Sequence, residues 1–399
     1  MNLSLSHNKY SLLVYIYNKT ITTIELKRKE DVYYMLTKNY ITIPICERCI
    51  HWIKENPFQC KKYIVEKPSY IISPQKECSY FSPIEKISIN ILNDYENKLF
   101  GALWGFILGD VMGVPVEFSS RKERDKDLVN EIRAYGTHHQ PYGTWSDDTS
   151  LMLCLVKVMT EGYSLKKLSE SFIKFYVDGE LTATGHVFDI GNTTREAITK
   201  MINKVPLEEC GAYDKYGNGN GSLMRILPLA FLKAGTAEHR ITEEVSCLTH
   251  GHAKSLLACI IYVELARKLL SGLEKRKAYN ETMRIMNMIY FKSFRKEPQA
   301  FNHILSGKLI RLPRNKIKSS GYVIDTLEAS LWSFMNSKNY TDSILTAINL
   351  GGDTDTIGAL TGGLAGLYYG FQNIPDRWIQ HILKKEMIND MLHEFKNSL

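Results

Sequence analysis

Residues 99–113 read Leu-Phe-Gly-Ala-Leu-Trp-Gly-Phe-Ile-Leu-Gly-Asp-Val-Met-Gly, with glycines at 101, 105, 109 and 113. A four-residue spacing puts all four on one helix face. Glycine is a poor helix former, so such a row signals a second backbone packed very close. Residues 357–370 repeat the pattern, with glycines at 358, 362, 366 and 370. Both stretches are apolar nearly all round, which predicts two buried central helices. Further helices are expected at 149–160, 165–176, 253–271, 322–336 and 343–350. Residues 272–318 are basic and irregular and are expected at the periphery. With no βαβ rhythm and no simple repeat, this part reads as mainly α.

The chain has 399 residues, enough for two domains and a sizeable core. Hydrophobic residues at 44% and charged residues at 23% exclude a wholly disordered or collagen-like chain. The net charge of +7 is divided between the two parts of the chain, and no segment is basic enough to demand nucleic acid. The longest apolar run near residue 100 spans 99–108, which is too short for a bilayer. The apolar run at 10–17 is followed by no small-residue cleavage site. The expectation is a soluble cytoplasmic protein with neither a membrane nor a nucleic-acid partner.

All 26 glycines lie after residue 100, whereas four of the eight cysteines lie before residue 79. Two composition shifts at one place predict a domain boundary near 82–97, giving domains at 1–95 and 96–399. The first domain should be a small α+β, Cys-rich accessory unit. Its segments 11–18 and 20–26 read as strands, with Asn18-Lys19 turning between them. Cys46 and Cys49 form a C-x₂-C pair, and Cys60 and Cys78 could complete a tetrahedral Cys₄ zinc site. Four reduced thiols are the competing reading.

Three acidic clusters carry the chemistry. The first runs from Gly109-Asp110 to Glu117-Phe118, the second is Trp145-Ser146-Asp147-Asp148-Thr149, and the third is Gly351-Gly352-Asp353-Thr354-Asp355-Thr356. The second and third each open a buried helix. Capping explains one carboxylate at a helix start, with Ser146 as N-cap, but explains two adjacent ones less well. Asp353 and Asp355 would point the same way in an extended loop. Crowded buried carboxylates repel one another, and divalent cations remove that cost. Oxygen-only ligands select magnesium, manganese or calcium over zinc, and the set is large enough for two ions.

Two further segments bear on a substrate. Gly217-Asn218-Gly219-Asn220-Gly221-Ser222 precedes an expected helix at Leu223, a geometry that suits a phosphate but also a plain linker. Thr249-His250-Gly251-His252 offers His250 as a substrate contact or as a packing residue.

Residues 98–395 resemble the ADP-ribosylglycohydrolases, with the bacterial dinitrogen-reductase-activating branch nearest. Matching segments stand in family order at 101–110, 145–149, 188–194, 220–225, 249–252, 321–332 and 349–359. The resemblance implies a compact all-α bundle with a two-metal cleft. It implies two Mg²⁺ or Mn²⁺ ions held by Ser146, Asp147, Asp148, Asp353, Asp355 and Thr356. It implies catalytic roles for Glu117, Asp189, Asp148 and Asp353, and substrate contacts from Gly219, Asn220, Gly221, Ser222, His250 and Tyr322. The implied reaction is hydrolysis of the bond between ADP-ribose and a modified protein, foremost at arginine. The alternatives are an immunity or binding protein that recognises ADP-ribose or occludes an ADP-ribosylating toxin, and a hydrolase of another nucleotide or phosphate ester. The front domain lies outside the resemblance.

Overall fold

The computed structural model describes residues 92–232, 238–290 and 298–399, together with two strand backbones near the N-terminus. The chain divides into two units, Met1–Leu92 and Asn93–Leu399. In the first unit, β1 (Tyr10–Tyr15) pairs antiparallel with β2 (Ile21–Leu26), setting Tyr10 opposite Leu26 and Tyr15 opposite Ile21. The expected turn at Asn18-Lys19 and the expected zinc ligands Cys46, Cys49, Cys60 and Cys78 lie outside the described residues.

The second unit is helical. Its longer helices are α1 (Asp94–Gly113), α2 (Arg121–Lys126), α3 (Asp147–Thr160), α4 (Leu165–Asp178), α5 (Asn192–Ile202), α6 (Glu238–Cys247), α7 (Ala253–Leu270), α8 (Lys275–Ile285), α9 (Val323–Asn336), α10 (Tyr340–Ile348), α11 (Thr354–Tyr369) and α12 (Lys385–Ser398). Its extended segments form isolated bridges only, such as Gly219 with Tyr322, among the described residues.

The axis of the unit is the pair α1 and α11, which run antiparallel with their backbones in contact. Gly101 faces Gly366, Gly105 faces Gly362, and Gly109 faces Gly358. A Cβ at any of these positions would overlap the opposite carbonyl. The glycine rows exist for that approach, and it outweighs their poor helix propensity. The Tyr340 hydroxyl donates to the Gly105 carbonyl at 3.0 Å, and the Thr354 hydroxyl donates to the Gly113 carbonyl at 2.8 Å. The C-terminal end of α1 therefore meets the N-terminal end of α11.

Two expectations are corrected here. The apolar stretch around residue 100 is longer than the run 99–108. Interrupted only by Asp110, it makes Asp94–Val116 long and apolar enough to cross a membrane by length and composition. That window is wholly buried inside the protein, which marks a core helix. The described residues of 272–318 are also more regular than expected. They contain α8, and Ala278, Tyr279, Thr282 and Met283 are buried at helical spacing while Arg276, Lys277 and Arg284 face solvent. The basic residues mask an amphipathic pattern.

Candidate active site

The junction of α1 and α11 is joined by a third helix end. Asp110, one turn before the end of α1, is fully buried. It accepts the Ser146 N–H at 3.0 and 3.1 Å, the Thr149 N–H at 3.1 Å and the Thr149 hydroxyl at 2.5 Å. These bonds satisfy donors at the start of α3 that no helical carbonyl can reach. Asp110 thus ties the start of α3 to α1. Ser146 adds the expected N-cap, accepting the Asp148 N–H at 3.2 Å.

The third cluster arrives from α11. The backbone does not run extended through Asp353 and Asp355 as expected. Asp353 is the N-cap and α11 begins at Thr354, so Asp355 occupies the first turn. Gly351 and Gly352, at φ of 71° and 80°, make the sharp approach. A backbone strap fixes it: Phe118 N–H donates to Gly352, Gly352 N–H to Ser119, and Asp353 N–H to Ser319, at 2.7, 2.8 and 2.9 Å. Thr356 donates to Asp148 Oδ2 at 3.3 Å and joins the two clusters directly. Asn220 donates to Asp353 Oδ2 at 2.7 Å.

A cleft of about 250 Å³ opens on this junction. Glu117, Asp147, Asp148, Asp189, Asp353, Thr356, Gly219, Asn220, Gly221 and His250 line it. Ser146 and Asp355 are nearly fully buried and are not among its lining residues. Carboxylate oxygens of Glu117, Asp353 and Asp355 lie within 4.8 Å of one another. Among the described residues, no Lys or Arg pairs with Glu117, Asp147, Asp148, Asp189, Asp353 or Asp355. The one partner of that kind is His138, beside Glu117 and Asp189.

Burial and the neighbouring negative charges push Glu117, Asp147, Asp148, Asp353 and Asp355 up. Glu117 moves to about 11. Asp147, Asp148 and Asp355 stand well above the usual carboxylate range. Asp147 Oδ2, Asp148 Oδ1 and Asp355 Oδ2 are buried without any hydrogen-bond partner among the described residues. Buried polar atoms are rarely left so. Three orphaned carboxylate oxygens at one junction fit divalent cations with hard oxygen ligands.

A pH signature follows. A carboxyl raised in the folded state binds a proton that the unfolded chain, titrating at about 4, has already lost. Stability therefore falls as pH rises above that value. The chelated protein is expected to melt lower at pH 8 than at pH 6, and added Mn²⁺ should raise the melting temperature more at pH 8. Calorimetry at both pH values checks this, and equal Mn²⁺ gains would remove these carboxylates as ligands.

Around the cleft the remaining expected residues separate. His250 is 2% exposed, and its Nδ1 pairs with the Thr249 hydroxyl at 2.8 Å. Burial and the nearby Arg225 lower it to about 3, so the ring is neutral. Arg225 is fully buried and donates to the carbonyls of Gly221 and Val245 at 2.5 and 2.9 Å, which fixes the glycine loop. The α-helix expected at Leu223 is absent. Leu223–Arg225 and Leu227–Phe231 are short 3₁₀ turns, with Pro228 at the start of the second. A long helix dipole behind that loop is therefore not available. Ser222 departs from its expected role, because its buried hydroxyl accepts from Ser246 at 2.9 Å and lies outside the cleft lining. Tyr322 caps α9 and is likewise not among the lining residues, although Gly321 is. Glu117, Asp147, Asp148, Asp189, Asp353, the loop Gly219–Gly221 and His250 do meet at one cleft, while Asp355 lies buried behind it. Asp110 as the tie to α3, His138 as the contact to two carboxyls and Arg225 as the brace of the glycine loop carry no local signal in the sequence. Only their partners far along the chain disclose what they do.

A family model described as ADP-ribosylglycohydrolase matches residues 92–398. ADP-ribosylarginine hydrolase Tri1 of Pseudomonas putida (strain GB-1) is 33% identical over 298 residues, covering 74% of this chain and 76% of that protein. The protein of the same name from Serratia proteamaculans (strain 568) is 32% identical over 302 residues, covering 75% and 78%. ADP-ribosyl-[dinitrogen reductase] glycohydrolase of Rhodospirillum rubrum is 26% identical, covering 72% and 90%. A solved structure titled ADP-ribosylglycohydrolase-related protein complex superposes with a TM-score of 0.63 at 28% identity, covering 77% of this chain and 100% of that one.

Proposed function

Because this chain belongs to the ADP-ribosylglycohydrolase family and is a hydrolase of glycosyl bonds, we propose that it removes ADP-ribose from ADP-ribosylarginine in protein, with two Mg²⁺ or Mn²⁺ ions. The observation that carries the reading is the set of three orphaned carboxylate oxygens where α1, α3 and α11 meet. Ser146, Asp147, Asp148, Asp353, Asp355 and Thr356 would hold the ions. Bound there, the ions supply charge neutralisation and a means of orienting water and ribose hydroxyls.

The chain's own groups do the rest. Breaking the bond at the ribose anomeric carbon builds positive, oxocarbenium-like charge on the sugar, which the acidic wall stabilises. Glu117 and Asp189 both line the cleft, and they handle the proton passed between water and leaving group. Neutral His250 meets the substrate as a hydrogen-bonding group. The loop at Gly219–Gly221 offers backbone that can approach a diphosphate closely.

The test is release of ADP-ribose from an arginine-ADP-ribosylated protein, first with Mn²⁺ or Mg²⁺ and then with chelator. Release that needs the cation is the expected result. Release of phosphate or nucleotide from simple esters, with none from modified arginine, would replace this reading by the ester hydrolase. Occlusion of an ADP-ribosylating toxin by residues 1–95 is a separate proposal that rests on the length of that region alone.

A further inference from the structure

The two carboxyls assigned to proton handling come from distant parts of the chain, Glu117 after α1 and Asp189 before α5. One side chain contacts both. His138 Nε2 shares a hydrogen bond with Glu117 Oε2 at 2.5 Å and lies 3.7 Å from Asp189 Oδ1. The His138 ring packs against Phe118 and Phe188, with centroids 5.9 and 5.4 Å away. Each phenylalanine is the chain neighbour of one of the carboxyls. Phe118 and Asp189 both hold the left-handed backbone, at φ of 60° and 58°. Non-glycine residues adopt it at a cost and only where surroundings impose it. At both, the chain bends so that one carboxyl and one aromatic ring converge on His138.

The segment that carries His138 is itself pinned. Gly136 sits so close to Pro115 that a Cβ would overlap the Pro115 carbonyl. The Thr137 hydroxyl donates to the Glu117 carbonyl at 2.7 Å, and the Tyr135 N–H closes the loop on the Gln140 carbonyl at 2.6 Å. The His138 side chain is only 14% exposed.

We propose that His138 is the positioning residue of the acid–base pair: bridging Glu117 and Asp189, it fixes both carboxyls in one arrangement against the bound sugar. The proposal rests on the hydrolase reading given above and deepens it. The hydrogen bond to Glu117 and the contact with Asp189 restrict both carboxyls. Small displacements of catalytic groups cost large factors in turnover.

The test compares His138→Gln, whose amide nitrogen falls near the Nε2 position, with His138→Asn, whose amide nitrogen falls near Nδ1. His138→Leu, which keeps the packing between the two phenylalanines, is the third variant. On arginine-ADP-ribosylated protein, His138→Asn and His138→Leu are expected to lose about a hundredfold in kcat, with KM within about threefold. His138→Gln is expected to recover at least about tenfold of that loss. Calorimetric affinity for ADP-ribose should be unchanged in all three. Equal losses in the Gln and Asn variants, a loss confined to KM, or turnover near that of the unaltered protein would each overturn the positioning role. Should His138→Leu fail to fold, the Gln and Asn pair still decides. An unaltered protein that releases no ADP-ribose would instead sink the hydrolase reading, so the two failures are distinct.

Discussion

Asp147→Asn is expected to lower kcat by at least about a thousandfold while leaving the fold intact. The side chain keeps its size, so no cavity opens in the core. What changes is one ligand at a junction built to hold cations. Asp147 Oδ2 has no protein partner among the described residues, so its negative charge is uncompensated there without a cation. An amide in its place removes one repelling charge from a crowded group. The chelated variant should therefore melt no lower than the chelated parent, and Mn²⁺ should raise its melting temperature less. Asp353→Asn is expected to behave likewise. Its loss should be slightly more complex, because Asp353 also accepts the Asn220 amide. Turnover within about tenfold of the parent in either variant would remove that residue from the ligand set.

Gly109→Leu should cost more than about 4 kcal/mol and leave no soluble folded protein. The facing atom is the Gly358 carbonyl of α11, a backbone group that cannot rotate aside. Both helices are buried on every side at this level, so the pair cannot move apart without opening the core. Gly191→Ala is the matched control. A Cβ there meets nothing within 4 Å, and its φ is negative at −61°. Loss of its place as N-cap of α5 should cost about 1 kcal/mol or less. Comparable yields and melting temperatures for the two variants would show that the glycine contact does not govern stability.

The parts of this architecture that local spacing encodes were legible in the residues. Glycines four apart announce a close helix pair wherever their partner lies. Asp147-Asp148 and Asp353-Thr354-Asp355 announce themselves because two carboxylates at one helix start exceed what capping needs. Asp110 is legible as part of the first acidic cluster, but not as the tie between α1 and α3. A single aspartate in an apolar run looks like an isolated polar residue until Ser146 and Thr149, more than thirty positions on, dock against it. His138 is a lone histidine in a loop, and its meaning depends on Glu117 and Asp189 arriving from either side. The glycine-rich segment at 217–222 shows the opposite failure. Its composition suited a phosphate cradle, yet Ser222 is spent on the core and the helix expected behind it shortens to 3₁₀ turns. In 272–318, charge hid the apolar spacing that buries α8.

The α1–α11 pair has a consequence for the protein during its synthesis. α1 is made early in its unit and α11 near the end, with some 250 residues between facing glycines such as Gly109 and Gly358. Throughout that interval a helix long and apolar enough to cross a membrane lacks the surface it was shaped to meet. It then offers chaperones and membrane-insertion machinery the same features that a membrane-spanning segment would. The close fit that places the acidic junction so firmly in the finished molecule thus leaves the first glycine helix without its partner until the last long glycine helix has emerged.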